Sequence, residues 1–247
     1  MLAALKAEFR KLFTVRSTYI LTGLAILFVI FFAFYIEGYH LSGKDLQNPN
    51  LYKEDVVGAL TSLPTVFGAI VAILLMTHEY RYTTIMYTLT SSNSRTKTLT
   101  AKFIAVSVYA LVFTAVVGVL APAMSYLGVH MHGSTLVPQT IDYHSIIWRG
   151  IFSGWSYIMA ALALAVLIRN QIGAIVSLFA IPIAEQVLSL LLKNNSVYLP
   201  FTAQGVVLNP APHGSTITHG SAAVVFSVYL VVAWIVAWVL FLKRDAN

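Results

Sequence analysis

His78-Glu79-Tyr80-Arg81-Tyr82 begins as a zinc-protease helix does, with a glutamate directly after a histidine. That site needs a second histidine four residues on, so that two imidazoles meet the metal from one helix face. Position 82 is a tyrosine, so the ligand pair is missing and metalloprotease chemistry is set aside. His130 and His132 alternate as two ligands on an extended chain would, and histidine also titrates near neutral pH. No carboxylate or thiol at ligand spacing completes that pair. The chain has no cysteine, which excludes disulfide and thiolate chemistry. His130 and His132, with His40, His144, His213 and His219, read as residues tolerated in polar outer loops.

Glu185 is the remaining isolated group. It lies in an otherwise apolar stretch, three residues after Pro182 and four before Ser189. An ionisable side chain within lipid is costly and marks transport paths by default. Two readings stay open: Glu185 lines a translocation path, carrying a proton or meeting a cationic substrate, or it is hydrogen-bonded inside the bundle or against the outer segment that follows. Glu37 reads as interfacial, near the outer end of another apolar stretch.

The elements that must hold these residues are set by composition. Of 247 residues, 58% are hydrophobic and 10% charged, and the mean hydropathy is +0.80. Soluble domains are nearer about 45–50% apolar and 25% charged. Six stretches reach the roughly 20 apolar residues that cross a bilayer: 18–39, 57–77, 101–129, 147–168, 172–192 and 222–242. Helices are the expected form, since lipid offers no partner to a free backbone group and the alternation of a membrane barrel is absent. The first apolar run is longer than a signal-peptide core, and no small-residue cleavage site follows it.

Lysine and arginine set the orientation. With both termini inside, the cytoplasmic cations are Lys6, Arg10, Lys11, Arg16, Arg81, Arg95, Lys97, Lys102, Arg169, Lys243 and Arg244, eleven in all, against Lys44, Lys53, Arg149 and Lys193 outside. Asp45, Glu54, Asp55 and Asp142 lean outward. The net charge of +6 therefore marks a membrane face, and nucleic acid is not needed to explain it. Tyr19, Tyr35, Tyr39, Trp148 and Trp238 suit interfacial anchoring, and Gly118, Pro122, Gly150 and Gly154 suit helix packing and bending.

Two further segments complete the layout. Leu2, Leu5, Phe9, Leu12 and Phe13 form one stripe opposite Lys6, Arg10 and Lys11, so residues 1–16 predict an amphipathic helix in the inner headgroup layer. Residues 193–220 are too broken by Pro200, Pro210 and Pro212 for a span and too apolar for a free loop, and predict a partly re-entrant, packed outer segment.

Between the second and third spans the chain holds a long cationic, hydroxyl-rich segment, residues 78–100. Tyr82, Ile85, Met86 and Leu89 share one side of an expected helix, which Thr90 to Ser94 would break before a second helix enters the third span. The bland reading is a loop whose cations meet anionic lipid; the functional one is a docking helix at the membrane face. The run "HEYRYTTIMYTLTSSNSRTKTLTAK" resembles the signature of the ABC transporter type 2 permease family, carried here by Glu79, Arg81, Thr84, Leu89, Ser92, Arg95 and Lys102. Thr83 replaces the usual glycine, and Ser91, Ser92 and Asn93 stand where the turn proline would be. "VYLPFTAQGVVLNP", Val197 to Pro210, is similar to that family's outer segment before the last span.

The resemblance implies an all-α membrane protein: six transmembrane helices forming one permease domain over residues 1–247, with an interfacial N-terminal helix, a cytoplasmic coupling helix and a partly re-entrant outer segment. It implies that two such subunits form the pore, as a homodimer or heterodimer, and that each docks a separate cytoplasmic ATPase carrying ATP and Mg. The coupling contact would be made by Glu79, Tyr80, Arg81, Tyr82, Thr84, Ile85, Leu89, Arg95 and Lys102. No GxxxxGK[ST] phosphate loop is present, so this chain is not read as the ATP-hydrolysing enzyme. The expected function is the permease of an exporter in the inner membrane. The rivals are a stand-alone secondary transporter or channel, which would show several buried charges and repeated halves, and a non-transporting immunity or assembly factor.

Overall fold

In the computed structural model, residues 1–39, 63–92, 94–131, 142–209 and 217–244 are described. Outside them lie His40, Lys44, Asp45, Lys53, Glu54, Asp55, Asn93, His132, Pro210, Pro212, His213 and the start of the expected second span. For Glu37 and for residues 89–92 the backbone alone is described.

Helices follow one another along the described chain: α1 (Leu2–Thr14), α2 (Arg16–Phe31) continued by a π-helical stretch (Phe32–Tyr39), α3 (Leu63–Arg81), α4 (Ile85–Ser92), α5 (Arg95–Met131), α6 (Tyr143–Ile168), α7 (Gln171–Leu192), a 3₁₀ stretch (Lys193–Tyr198), α8 (Pro200–Leu208) and α9 (His219–Lys243). No strand occurs among the described residues. Five helical stretches are long and apolar enough to cross a membrane: Arg16–Ile36, Arg95–Met131, Tyr143–Ile168, Gln171–Tyr198 and His219–Lys243. The expected second span is described only from Leu63, in α3.

Each break has a local cause. Val15 adopts an extended backbone between α1 and α2. Thr83 ends α3 with φ 54, a left-handed conformation that costs a β-branched residue free energy. Arg169 closes α6 in the same region, and Asn170 then caps α7 by accepting from the Gly173 N–H at 2.9 Å. Asp142 caps α6, and Thr218 forms a reciprocal capping box with Ser221 at the start of α9.

The core is built by α2, α3, α5 and α6, with α3 against α6 and α5 against the π-helical stretch as main contacts. Small residues let the backbones close. A Cβ added at Gly154 would sit 2.6 Å from Thr114 Cγ2, and one at Gly68 would sit 2.8 Å from Ile158 Cδ1. Close approach through small residues replaces the hydrophobic driving force that lipid-embedded helices lack. The outer surfaces remain apolar, with Val176, Ile183, Val187 and Leu190 exposed on α7 and Val224, Val231 and Ile235 on α9. Such faces suit a hydrocarbon solvent rather than water.

Residues 193–209 fold onto the end of the bundle opposite α4. Val197, Val206 and Val207 make a second small core with Ile217 and Ala222. Backbone buried in this way must be satisfied internally, and the means of doing so involves Glu185.

Candidate functional site

Glu8, on α1, lies three residues after Leu5 and four before Leu12, on the apolar stripe of that helix. The stripe therefore carries a carboxylate into the protein, and Glu8 is buried. Lys102, at the start of the expected span in α5, has none of its surface exposed, and Glu79 in the last turn of α3 is buried too. Lys102 Nζ donates to Glu8 Oε2 at 2.9 Å and to Glu79 Oε1 at 2.7 Å. Lys11 Nζ reaches the same two carboxylates, Glu8 Oε1 at 2.7 Å and Glu79 Oε1 at 2.5 Å. Two cations and two anions thus close a neutral ring joining α1, α3 and α5.

The ring's electrostatics follow from burial against pairing. Burial alone would lift the Glu79 carboxyl, but Lys102 and Lys11 outweigh it and hold it below the usual carboxylate range. Burial would likewise lower the Lys11 ammonium, yet Glu79 and Glu8 keep it above the usual lysine value. Both Lys bonds to Glu79 fall on Oε1, and Oε2 has no hydrogen-bond partner.

The residues expected to make a docking surface thus divide. Glu79 and Lys102 lie inside the ring, and Ile85 is buried as well. Tyr80 lies under the Arg169 guanidinium, 5.4 Å from its ring centre, which locks the α3 end to the α6–α7 junction. Arg95 donates to the Leu242 and Arg244 carbonyls at 3.1 and 2.7 Å, capping the end of α9 where the helix dipole is negative. Arg81, Tyr82 and Thr84 are exposed, and so are Met86 and Tyr87 beside them. The Leu89 side chain lies outside the described residues.

Three expectations about this segment change, and one about α1. The helix begins at Ile85 and leaves Tyr82 outside it, because Tyr80 and Arg81 continue α3 and Thr83 makes the turn. Residues 90–92 remain within α4. Ile85 and Met86 do not share a side: Ile85 packs inward while Tyr82 and Met86 point out. Lys11, read as a polar-face cation of α1, turns inward to the ring, while Leu2 and Phe13 stay exposed.

Glu185 is buried and fully engaged. It accepts from the Phe201 and Thr202 backbone N–H groups at 3.1 and 2.9 Å and from the Thr202 hydroxyl at 3.2 Å. α8 starts with Pro200 and has no cap from its own flanking residue. A helix leaves its first N–H groups unpaired, and Glu185 satisfies two of them from α7 and meets the positive end of the dipole. Of the two open readings of Glu185, this contact matches the hydrogen-bonded one. Among the described residues no cluster of three or more potential metal ligands occurs.

Glu8 is the member of the ring that sequence reasoning missed. Its signal was present: an acid at a stripe position, three residues before a lysine.

The comparisons complete the site. Residues 4–185 match the family described as ABC-2 family transporter protein. That range contains all but the first two residues of α1, the ring, α4 and Glu185. No curated protein and no solved structure matches.

Proposed function

Because this chain belongs to the ABC-2 transporter family, a family of multi-pass membrane components that work with a cytoplasmic ATPase subunit, we propose that it is the permease half of an ATP-driven exporter and that α4 is where its ATPase docks. The observation that carries this reading is the exposure of Met86 and Tyr87 on a short helix, and of Arg81, Tyr82 and Thr84 at the end of α3 and in the turn leading into it, outside the apolar bundle. Aromatic and methionine side chains held clear of the core at a membrane face fit the cleft of a soluble partner. The ring beneath makes that helix a rigid lever. α4 is joined through one turn to α3 and packs against α5, and the ring clamps α3 and α5 to α1. Closure of an ATPase on α4 would then move spans rather than bend a loop.

In this reading the α4 end faces the cytoplasm, as its lysines and arginines favour, and both termini are cytoplasmic in the inner membrane. Two permeases and two ATPases make the transporter, with ATP and Mg held on the ATPase. Glu185 is a fixing residue for the outer segment rather than a path-lining charge.

The test is a pulldown of the detergent-solubilised chain from its native host, beside a Tyr82→Ala/Tyr87→Ala variant. Wild type is expected to retain a protein with a Walker-type phosphate loop, and the variant to lose most of it while melting at the same temperature. Equal retention by both places the contact elsewhere, and recovery of no ATPase removes the basis for the reading.

A further inference from the structure

The face that α1 turns outward is not the one its sequence pattern suggests. At helical spacing Leu2, Lys6 and Phe13 fall on one line, with Arg10 beside it. All four are exposed, Leu2 at 82% and Phe13 at 66%. Leu5, Phe9 and Leu12 supply the inward packing, and Glu8 and Lys11 enter the ring. The outward stripe is therefore mixed, with large apolar side chains and cations side by side. Arg16, the first residue of α2, adds another exposed cation just beyond it.

Charge and position together say what covers this face. Among the described residues, the side chains of Lys6, Arg10 and Arg16 meet no carboxylate and donate to no protein acceptor. The nearby carboxylates, Glu8 and Glu79, are spent on Lys11 and Lys102. Lysine and arginine side chains are donors only, so the stripe calls for an anion. Its position is set by Tyr19, which donates its hydroxyl to the Phe13 carbonyl, one of those a helix end leaves unpaired. Tyr19 and Ile20 are exposed and head the outer apolar face of α2, continued by Leu24, Leu27 and Phe31. That helix is long and apolar enough to cross a membrane, so its outer face belongs to hydrocarbon. Tyrosine favours the level where headgroups meet acyl chains. The Tyr19 bond therefore brings the Phe13 end of α1 to the rim of the lipid face.

An acidic soluble protein would answer the charge alone. Continuity with the outer face of α2 selects a lipid instead. We propose that the outward stripe of α1 binds anionic phospholipid of the phosphatidylglycerol type in the adjoining leaflet. Lys6, Arg10 and Arg16 donate to phosphodiester oxygens, while Leu2 and Phe13 enter the tops of the acyl chains. A zwitterionic headgroup is a weaker ligand, because its own ammonium offsets the phosphate. α1 is then held from both sides, by lipid outside and by the ionic ring inside. The inference rests on the chain lying in a membrane and not on the docking role of α4.

The experiment uses the full chain with a single cysteine, introduced as Ala3→Cys at an exposed position beside the stripe and labelled with bimane. The protein is placed in phosphatidylcholine nanodiscs without any ATPase. Equal small mole fractions of phosphatidylglycerol or phosphatidylcholine, each carrying a doxyl quencher high on one acyl chain, are compared. A basic residue at an anionic surface supplies about fivefold in local concentration. Lys6 and Arg10 together are thus expected to enrich phosphatidylglycerol about twentyfold over phosphatidylcholine. Lys6→Gln/Arg10→Gln leaves the ring untouched and is expected to cut that ratio to about fivefold or less. Lys97→Gln/Lys243→Gln removes two other exposed cations and is expected to leave the ratio unchanged. Equal quenching by the two lipids overturns the proposal, as does a preference that Lys6→Gln/Arg10→Gln leaves intact. Quenching by neither lipid would give the stripe to water or a soluble protein and overturn it too. Equal loss in both double variants would reduce the effect to overall charge and overturn the assignment to α1.

Discussion

Lys102 has no exposed surface and touches two carboxylates from two other helices. Breaking a buried ion pair by removing one partner leaves a charge stranded, at a cost of about 3–5 kcal/mol. Lys102→Met and Glu8→Gln are each expected to lower the melting temperature sharply in detergent. The pair together should lose clearly less than the sum of the singles, because the double variant strands fewer charges. A pH window follows from the two shifted groups. Glu79 is depressed in the folded protein, so its stabilisation is present above the ordinary glutamate value of about 4.3 and fades as pH falls through its lower folded value. Lys11 is raised, so its stabilisation is present below about 10.4 and fades as pH rises through its higher folded value. The spin-label distance between α1 and α5 is therefore expected to hold between those limits and to lengthen below about pH 4; lengthening near neutrality would refute the ring. The chain's lack of cysteine makes single-site labelling direct. Glu79 and Lys102 were legible as residues that matter but not as partners. They meet directly between α3 and α5, and Glu8 and Lys11 join them only where α1 packs back on that junction, tertiary contacts that no local spacing encodes.

Elements carry the next level of argument. Glu185 anchors α8 through two backbone N–H groups, each a hydrogen bond to a charged acceptor. Glu185→Gln turns one acceptor into a donor facing an N–H, and should cost about 1–3 kcal/mol. Increased hydrogen exchange is expected at Phe201 and Thr202, with substrate transport retained in part; abolished transport with α8 still protected would instead make Glu185 a path residue. Gly154 offers a packing test. A methyl there meets the β-branched Thr114 at 2.6 Å, which cannot swing away as a long side chain would. Gly154→Ala is expected to destabilise by about 1–3 kcal/mol through overpacking, read by melting in detergent; an unchanged melting temperature would contradict the packed contact. The apolar stretches announced α2, α5, α6, α7 and α9 within a few residues, because hydropathy over twenty residues averages out local noise. The segment joining α3 to α5 was harder to read. Its turn comes from Thr83 in a left-handed conformation that threonine does not advertise, so the helix start and the facing of Ile85 against Met86 stayed hidden.

For the whole molecule, three clamps converge on the α4 end: the ionic ring, Tyr80 under Arg169, and Arg95 on the end of α9. Together they tie α1, α3, α5, α6 and α9 there, whereas the opposite end is held by apolar contacts, the Glu185 cap and the hydrogen bonds of Gln204 to Ser153 and of His219 to Val206. A stiff end bearing an exposed aromatic helix is the arrangement a force-transmitting contact needs. Composition alone announced the membrane class; which side chains of the motif are exposed became readable only once burial divided it. The most direct measurement of the central claim is a cross-link from a single cysteine at position 87, introduced as Tyr87→Cys in this cysteine-free chain and used in native membranes with a short thiol-to-lysine reagent. The account predicts one dominant adduct, to a protein containing a nucleotide-binding phosphate loop, formed from the cytoplasmic side and changed in yield by ATP. Labelling of that introduced thiol from the outer side, or a cross-link pattern without any such ATPase, would contradict it.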